Sequence, residues 1–244
     1  SVVYCVSLNK ERIVSGSADN TVRIWCRVKG ELLRTLKGHT SYVYAICLDK
    51  ESKILSASND KTIRIWQYED GKIVNHIDTA QTVRTIAFDG LNIFSGGYAD
   101  TGKHTLKIWD YDANEISPHI RTLKAHTGSL NSIAMDDTHI LSGSDDYSMK
   151  LWDRESRALL HSFEGHASSV TAVAMDSSSF FSGGSDNTIK AWSRTNFELE
   201  TTIAIDGGTV YCLAVDASYI VGGTSNYLVN VWDRATYELS LIHI

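Results

Sequence analysis

The sequence predicts an all-β fold built from small antiparallel sheets that recur along the chain. Three observations lead to this prediction. Six tryptophans lie 40 to 43 residues apart, at positions 25, 66, 109, 152, 192 and 232. Each closes a similar phrase, such as TIRIW at 62–66 and SMKLW at 148–152. Between these phrases, apolar and polar residues alternate and are separated by turn-forming Asp, Asn, Gly and Ser. A period near 40 residues is typical of repeat proteins.

Residues 41–80 illustrate the repeated unit. Four β-rich segments follow one another there, at 41–49, 53–60, 62–68 and 71–77. Four strands joined by short hairpins form one blade of a β-propeller, and stacking of blades buries their apolar faces. We therefore predict a β-propeller of four-stranded antiparallel blades in a single domain. Its six blades are expected at about 1–37, 38–78, 79–124, 125–164, 165–204 and 205–244.

Composition limits the function classes. The net charge of −6 argues against broad nucleic-acid binding, which usually needs a basic surface. No apolar run approaches membrane-spanning length, and no signal-peptide pattern opens the chain. The four cysteines show no paired or metal-type spacing, which favours an intracellular, cytoplasmic location, with the nucleus as an alternative. We expect no cofactor and no metal ion, because glycine-rich phosphate loops and metal-ligand histidine spacings are lacking.

The repeats resemble the WD-repeat (β-transducin repeat) family over essentially the whole chain. The family signature is Gly-His before the first strand and Trp-Asp at the end of the third. The first element is matched by Gly38-His39, Ala125-His126 and Gly165-His166. The second is matched by Trp109-Asp110, Trp152-Asp153 and Trp232-Asp233. The compact hairpins look like those of WD domains in F-box ubiquitin-ligase substrate receptors and in TRAF- or kinase-linked proteins.

The resemblance implies a hydrogen-bonded tetrad in each complete blade, formed by a loop His, a second-strand Ser, a turn Asp and the Trp. Buried polar groups without partners cost about 1–3 kcal/mol each, so these side chains should satisfy one another. Three tetrads are complete: His39, Ser56, Asp60 and Trp66; His126, Ser142, Asp146 and Trp152; His166, Ser182, Asp186 and Trp192.

The other blades depart from this pattern. The first blade keeps Ser15, Asp19 and Trp25, and its His would lie before Ser1. We expect the third and sixth blades to be held less tightly. In the third, Thr79 replaces the His and Asp100 is out of register. In the sixth, the polar positions hold Asp206, Gly222 and Asn226.

A His–Ser–Asp set also occurs in hydrolases. Here it recurs three times in register with the strands, and no G-x-S-x-G nucleophile turn is present. We therefore expect a structural role for these residues, no catalytic residue and no enzyme activity.

By the same resemblance, the surface at the entrances to the first strands binds partners. The residues expected to contact a partner are Tyr4, Tyr42, Tyr44, Asn59, Arg84, Asn131, Asp145 and Tyr211. Exposed Tyr and Arg are enriched at binding hot spots. The alternative is that the tyrosines are ordinary surface residues of strands, which favour Tyr. A phosphopeptide pocket normally needs several arginines to bind phosphate, and only Arg84 occupies a suitable position here. The sequence therefore provides too few arginines for a typical pocket of this kind.

A second repeated set consists of aspartates after the first strands: Asp49, Asp89, Asp136, Asp176 and Asp216. They could form an acidic collar for a basic partner. We favour the alternative that they stabilise tight turns, because Asp side chains bond their own backbone there.

We predict a non-catalytic scaffold that presents a propeller face to protein or peptide partners within a multiprotein complex, with no nucleic-acid or membrane partner. The alternative is a substrate-recruiting module of a ubiquitin ligase or a targeting module of a kinase.

The terminal LSLIHI at 239–244 is what a common sequencing-library transposase adapter encodes. We therefore expect these residues to be foreign and the chain to be a truncated piece of a parent with seven blades.

Overall fold

A computed structural model of the chain describes residues 1–49, 53–98, 104–111 and 121–243, with residues 241–243 described through their backbone alone. Twenty-four strands form six four-stranded antiparallel sheets, each made of four consecutive strands. The described residues contain no helix. The predicted fold class, all-β with four-stranded β-propeller blades, is confirmed.

The chain divides into two compact units of three blades each, Ser1–Lys124 and Ala125–Ile244. The strands of the first unit are β1 Val3–Leu8, β2 Arg12–Ser17, β3 Thr21–Cys26, β4 Leu32–Lys37, β5 Val43–Leu48, β6 Lys53–Ser58, β7 Thr62–Gln67, β8 Ile73–Asp78, β9 Thr82–Phe88, β10 Asn92–Tyr98, β11 Leu106–Asp110 and β12 Arg121–Leu123.

The strands of the second unit are β13 Leu130–Met135, β14 His139–Ser144, β15 Met149–Asp153, β16 Leu159–Phe163, β17 Val170–Met175, β18 Ser179–Gly184, β19 Thr188–Ser193, β20 Leu199–Ala204, β21 Val210–Val215, β22 Tyr219–Thr224, β23 Val229–Asp233 and β24 Leu239–His243. The terminal segment thus forms the outer strand of the sixth blade. Pairing with β23 does not depend on where that segment came from, so its foreign origin stays a prediction.

Within each unit, neighbouring blades pack through two different faces. The Trp face carries the tryptophan and alternate first-strand residues, and the back face carries the intervening residues of the second and third strands. Between the first two blades, Val22 and Ile24 of one back face pack with Val43 and Trp66 of the next Trp face. The other junctions inside the units repeat this arrangement. Burial of apolar area, worth roughly 25 cal/mol per Å², is therefore the main stabilising contribution.

A glycine in the second strand allows the close approach of the next blade. A Cβ added at Gly16 would lie 2.7 Å from Val43 Cγ1 and 3.2 Å from Ile46 Cδ1. At Gly143 and Gly183, the nearest valine of the following blade would lie at 2.7 and 2.5 Å. These glycines form the contact sites for two first-strand side chains of the next blade, so larger residues there would separate the sheets.

The structure brings the members of each complete tetrad together. In the second blade, Trp66 Nε1 donates to Ser56 Oγ (2.7 Å), and His39 Nε2 lies 2.7 Å from that hydroxyl. His39 Nδ1 lies 2.8 Å from Asp60 Oδ2. A carboxylate can only accept, so Nδ1 carries the proton and Nε2 accepts from the serine. The same contacts measure 2.8 to 3.0 Å in the fourth and fifth blades.

The tetrad carboxylates also hold the loop that leads into the first strand. Asp60 Oδ2 accepts the backbone N–H of Thr40 at 3.0 Å. Burial alone would raise the pKa of Asp60, but hydrogen bonds from His39, Thr62 and that backbone group outweigh burial and hold the pKa well below its usual range. The pKa of Asp146 and Asp186 is lowered in the same way. The carboxylates are therefore ionised whenever the fold is intact near neutral pH.

The third blade has a reduced set. Trp109 Nε1 still donates to Ser95 Oγ at 2.8 Å. The hydroxyl of Thr79, which stands in the place of the His, lies 2.7 Å from two backbone carbonyl oxygens and shares its single proton between them. The position of Asp100 lies outside the described residues. Lys107 Nζ also donates to the Thr79 carbonyl at 2.5 Å, so a threonine and a lysine together hold the loop of this blade.

The sixth blade keeps its tryptophan without a serine partner. Gly222 occupies the serine position, and a Cβ there would lie 3.0 Å from the Trp232 ring. Trp232 is nonetheless 3% exposed and packs in the core between the fifth and sixth blades. Asn226 donates to the backbone carbonyl of Asp206 at 3.0 Å. Packing rather than polar bonding therefore holds this tryptophan.

Two arginines, each two residues after a tryptophan, join neighbouring blades of the second unit. Arg194 donates to the carbonyl of Asp176 in its own blade and to Asp136 Oδ2 of the preceding blade, both at 2.6 Å. Arg234 Nε donates to Asp176 Oδ2 at 2.8 Å. The repeated aspartates also bond their own turns, because Oδ1 of Asp176 accepts the backbone N–H of Ser178 and Ser179 at 2.7 Å. The turn role of these aspartates was expected from the sequence, and the bond between blades was not.

Replacement of tryptophan by phenylalanine should separate packing from hydrogen bonding. We expect Trp192→Phe to destabilise the protein by about 1–3 kcal/mol more than Trp232→Phe, because it leaves the buried Ser182 hydroxyl without its donor. Both sites lie in the second unit and lose a similar ring volume. The free energies of unfolding in urea give the comparison, and equal losses would contradict the role assigned to the tetrad.

Stability should fall in acid because of the tetrad groups. Burial lowers the pKa of His166, despite the opposing effect of Asp186, so this imidazole contributes a loss of stability as the pH falls below about 6.5. The carboxylates, whose pKa values are lowered by folding, contribute stability above about pH 4 that is lost as the pH falls toward their folded pKa values.

The Asp60→Asn variant tests the carboxylate contribution. The variant side chain does not ionise, so it lacks the stability that the ionised Asp60 carboxylate contributes. The difference in melting temperature between the wild type and the variant should therefore be greatest at neutral pH and should shrink below about pH 4. Thermal unfolding followed by circular dichroism across this range measures it. A difference that stays constant down to pH 3 would show that Asp60 does not provide the pH dependence.

Candidate functional site

Three tyrosines of the first unit form one exposed cluster. Tyr4 lies on β1, Tyr44 on β5, and Tyr42 just before β5. Their ring centroids lie 5.1 to 6.2 Å apart in tilted or edge-on arrangements. Tyr4 and Tyr42 are 45% and 44% exposed, and Tyr44 is half-buried beneath them. Two adjacent blades therefore present a continuous aromatic surface.

A β-bulge places the key side chain of each blade. In every first strand the pairing register shifts across one residue, which has no partner in the second strand. Such an extra residue re-aims its side chain relative to the regular alternation. The bulge residues are Tyr4, Tyr44, Arg84, Asn131, Thr171 and Tyr211. All of them except Thr171 are among the residues that the family resemblance implies for partner contact, and the bulge gives the physical reason for their direction.

Arg84 provides the positive charge beside the tyrosines. Its side chain is exposed on β9, and its charge acts on the Tyr44 phenol. Burial raises the pKa of Tyr44, Tyr4 adds to this effect, and Arg84 opposes it. The phenol therefore remains a hydrogen-bond donor at neutral pH. Aromatic faces, a hydroxyl donor and a guanidinium suit an extended polypeptide that offers apolar groups and acceptors.

Three of the expected contact residues bond within the protein. Asn59 donates to Ser41 Oγ at 2.9 Å and accepts from Thr82 Oγ1 at 3.2 Å. Asn131 donates to Asp145 Oδ1 at 2.7 Å and to a backbone carbonyl of the next blade at 3.1 Å. All three are half-buried. The structure thus gives them a bracing role between adjacent strands and blades, and their contact with a partner stays a prediction.

The bulge residues differ between the units. In the second unit, Asn131 and Thr171 are short and bond to backbone carbonyls of the following blade. Tyr211 is the exception, with 64% of its side chain exposed. Beside the third blade of the first unit, Tyr98 is 44% exposed and lies 6.0 Å from the His104 ring. The first unit therefore has a large bulge side chain in all three of its blades, and the second unit has one in the sixth blade alone.

The tetrads are poorly placed for chemistry. His39, His126 and His166 are buried, and both ring nitrogens of each are occupied by internal hydrogen bonds. Across the described ranges, no group of three or more His, Cys, Asp or Glu side chains is arranged to hold a metal ion. In the same part of the chain, no helix has the length and apolar character needed to cross a membrane.

Comparison with known proteins agrees with this architecture. The WD40 family, described as "WD domain, G-beta repeat", matches residues 1–26, 30–67, 117–153 and 157–193. The computationally designed Ika8 protein, known from a crystal structure, superposes with a TM-score of 0.78 at 28% identity. That alignment covers 98% of this chain and 73% of the designed one.

Two of the curated relatives each match 18% of the chain. F-box/WD repeat-containing protein 7 of Drosophila melanogaster is 50% identical over 44 residues, which is 18% of this chain and 3% of the relative. F-box/WD repeat-containing protein sel-10 of Caenorhabditis elegans is 44% identical over 43 residues, 18% of this chain and 7% of the relative. The chain therefore matches only a small part of these relatives.

The WD40 matches cover more than half of the 244 residues and coincide with blades whose tryptophans and turn aspartates form the expected hydrogen bonds. The chain belongs to the WD40-repeat family.

Proposed function

We propose that the chain is a non-catalytic protein-interaction module that binds a protein or peptide through Tyr4, Tyr42, Tyr44 and Arg84, named here the tyrosine–arginine surface. The observation that carries this proposal is the packing of three bulge-region tyrosines from two blades into one exposed cluster. The alternative, that these are ordinary strand residues, does not account for the contacts of the three rings with one another.

The chemistry of the surface favours a polypeptide partner. Tyrosine offers a large contact area with only two side-chain torsions to immobilise, so ordering it on binding costs little entropy. The surrounding strands are fixed by buried tetrads and junctions, and the surface is therefore largely formed before binding. Arg84 adds a donor for a carbonyl or carboxylate of the partner. A peptide or protein loop lying across the first two blades and reaching the third would use all four residues.

A finer reading is that the module recruits substrates to a ubiquitin ligase. It is supported by the 43- to 44-residue matches to two F-box/WD repeat proteins. The surface carries a single arginine, Arg84, among its four residues, so we propose an aromatic and polar substrate segment rather than a highly phosphorylated one. No contact among the described residues favours the kinase-targeting alternative over this one. An F-box-encoding segment in the same gene would support the ligase reading, and a kinase domain would support the other.

Alanine at both Tyr44 and Arg84 should abolish partner capture from cell lysate while the fold remains intact. The matched control is Tyr219→Ala with Arg121→Ala, which removes an exposed tyrosine and arginine away from the first-strand entrances. Quantitative mass spectrometry of captured proteins, with circular dichroism of each variant, gives the comparison. Undiminished capture by the Tyr44/Arg84 variant, or equal loss in the control, would refute the assigned surface.

A further inference from the structure

Asn59 joins the two halves of the tyrosine–arginine surface. It lies in the turn between β6 and β7. Its backbone N–H donates to the Tyr42 carbonyl at 2.9 Å, and its Nδ2 donates to Ser41 Oγ at the same distance. Its Oδ1 accepts from Thr82 Oγ1 of the third blade at 3.2 Å. One residue thus bonds both the segment that carries Tyr42 and the strand that carries Arg84.

The position of Thr82 makes this bond relevant to Arg84. Thr82 is the first residue of β9, where it pairs with Tyr98 of β10, and Arg84 follows two residues later as the bulge residue. A bulge residue has no partner in the neighbouring strand, so the placement of Arg84 depends on the paired segments on either side of it. The bond to Asn59 fixes one of these segments relative to the second blade.

The second unit braces its junctions differently, through the bulge residues themselves. Asn131 donates to a backbone carbonyl of the following blade at 3.1 Å, and Thr171 bonds the equivalent carbonyl one blade later. In the second blade the bulge residue is Tyr44, whose ring packs against Tyr4, and Asn59 makes the bond to the following blade. The bracing contact therefore lies in the turn, so the bulge position can carry an aromatic side chain.

The same turn also holds the loop that leads into β9. The Lys61 carbonyl accepts the backbone N–H of Thr79 at 2.9 Å and lies 2.7 Å from the Thr79 hydroxyl. Because the acceptor is a backbone group, a substitution at Asn59 leaves this second contact between the blades in place. The side chain of Asn59 can therefore be changed while the loop stays attached.

The surroundings of Arg84 favour an acidic partner. At the end of the first unit where the first strands begin, the described exposed cations are Lys37, Lys61, Arg84 and Lys124, and the described exposed acidic side chain is Asp78. This local excess of positive charge occurs in a chain whose net charge is −6. Complementary charge steers association and orients the partner. An Asp or Glu side chain of the partner therefore fits Arg84.

We propose that Asn59 is a positioning residue that fixes the separation between Tyr42 and Arg84. The surface consequently selects extended acidic segments in which a carboxylate side chain lies a set number of residues from an apolar or aromatic one. This inference rests on the proposed function, since it requires the partner to lie across the tyrosine–arginine surface. The braced junction holds both anchors before binding, so a segment with the matching spacing gains both contacts without ordering the protein.

Selection from a random-sequence peptide library tests the proposal. The library is selected on the folded wild-type chain, and the peptides kept are those that do not bind the variant with both Tyr44→Ala and Arg84→Ala. We expect these peptides to share an Asp or Glu at a constant spacing from an apolar or aromatic residue. Asn59→Ala should weaken their binding about tenfold through loss of the bracing hydrogen bonds. A new selection on Asn59→Ala should give a broader range of spacings, which a residue that only stabilised the fold would not change.

Thr82→Val distinguishes positioning from direct contact with the peptide. It removes the hydroxyl that donates to Asn59 and keeps the shape of the side chain, so it should broaden the spacings as Asn59→Ala does. Combining the two substitutions should add little to either one, because both remove the same bond. Unchanged spacings with Thr82→Val would show that Asn59 acts by touching the peptide and would overturn the inference.

The matched control is Asn131→Ala, which removes a bracing asparagine of the second unit and should leave binding of the peptides unchanged. Thermal unfolding gives a temperature at which every variant is folded. Peptides that need Tyr44 and Arg84 but share no acidic spacing, or that keep the same spacing on Asn59→Ala, would overturn the inference and leave the proposed function in place. Failure to select any peptide that depends on Tyr44 and Arg84 would overturn both.

Discussion

The burial of a tryptophan against the preceding blade of its own unit, as for Trp66, Trp109, Trp192 and Trp232, is the interaction on which the rest of the structure depends. A single four-stranded sheet has two apolar faces and cannot bury either by itself. The tryptophan ring covers much of one face, and the second-strand glycine lets the next sheet approach closely enough to bury that ring. Once the ring is buried, its N–H requires an acceptor, which the second-strand serine supplies.

The rest of the tetrad follows from that serine. Its hydroxyl oxygen receives the indole N–H, and its proton goes to the imidazole of His39, which in turn needs a partner for Nδ1. The turn carboxylate satisfies Nδ1 and also holds the loop backbone. The burial of the tryptophan therefore also leads to the hydrogen bond that holds the loop before the first strand. Where the serine is replaced by glycine, as at Gly222, the chain of hydrogen bonds stops and packing alone remains.

The sequence was sufficient for the fold class, the strand order and the tetrad members, because all three depend on local pattern at a fixed period. The spacing from Trp66 back to Asp60 and Ser56 already describes one hairpin. Contacts between blades were harder to predict. Arg194 and Asp136 are far apart in the sequence, and only packing of the two sheets shows that they meet. For the same reason, the bracing bonds of Asn59 and Asn131 were not expected.

The bulge in each first strand takes one side chain out of the strand pairing on which the fold depends. A bulge residue has no partner in the hydrogen-bonded ladder and lies at the margin of the buried junction. Its side chain can change from threonine to tyrosine or arginine without moving the strands, as comparison of Thr171, Tyr44 and Arg84 within this one chain shows. The positions of Tyr4, Tyr44, Arg84 and Tyr211 can therefore diversify at little thermodynamic cost, whereas Asn131 and Thr171 would lose their bonds to the following blade. Under the proposed function, single codon changes at these four positions give one scaffold new binding preferences while its core stays constant.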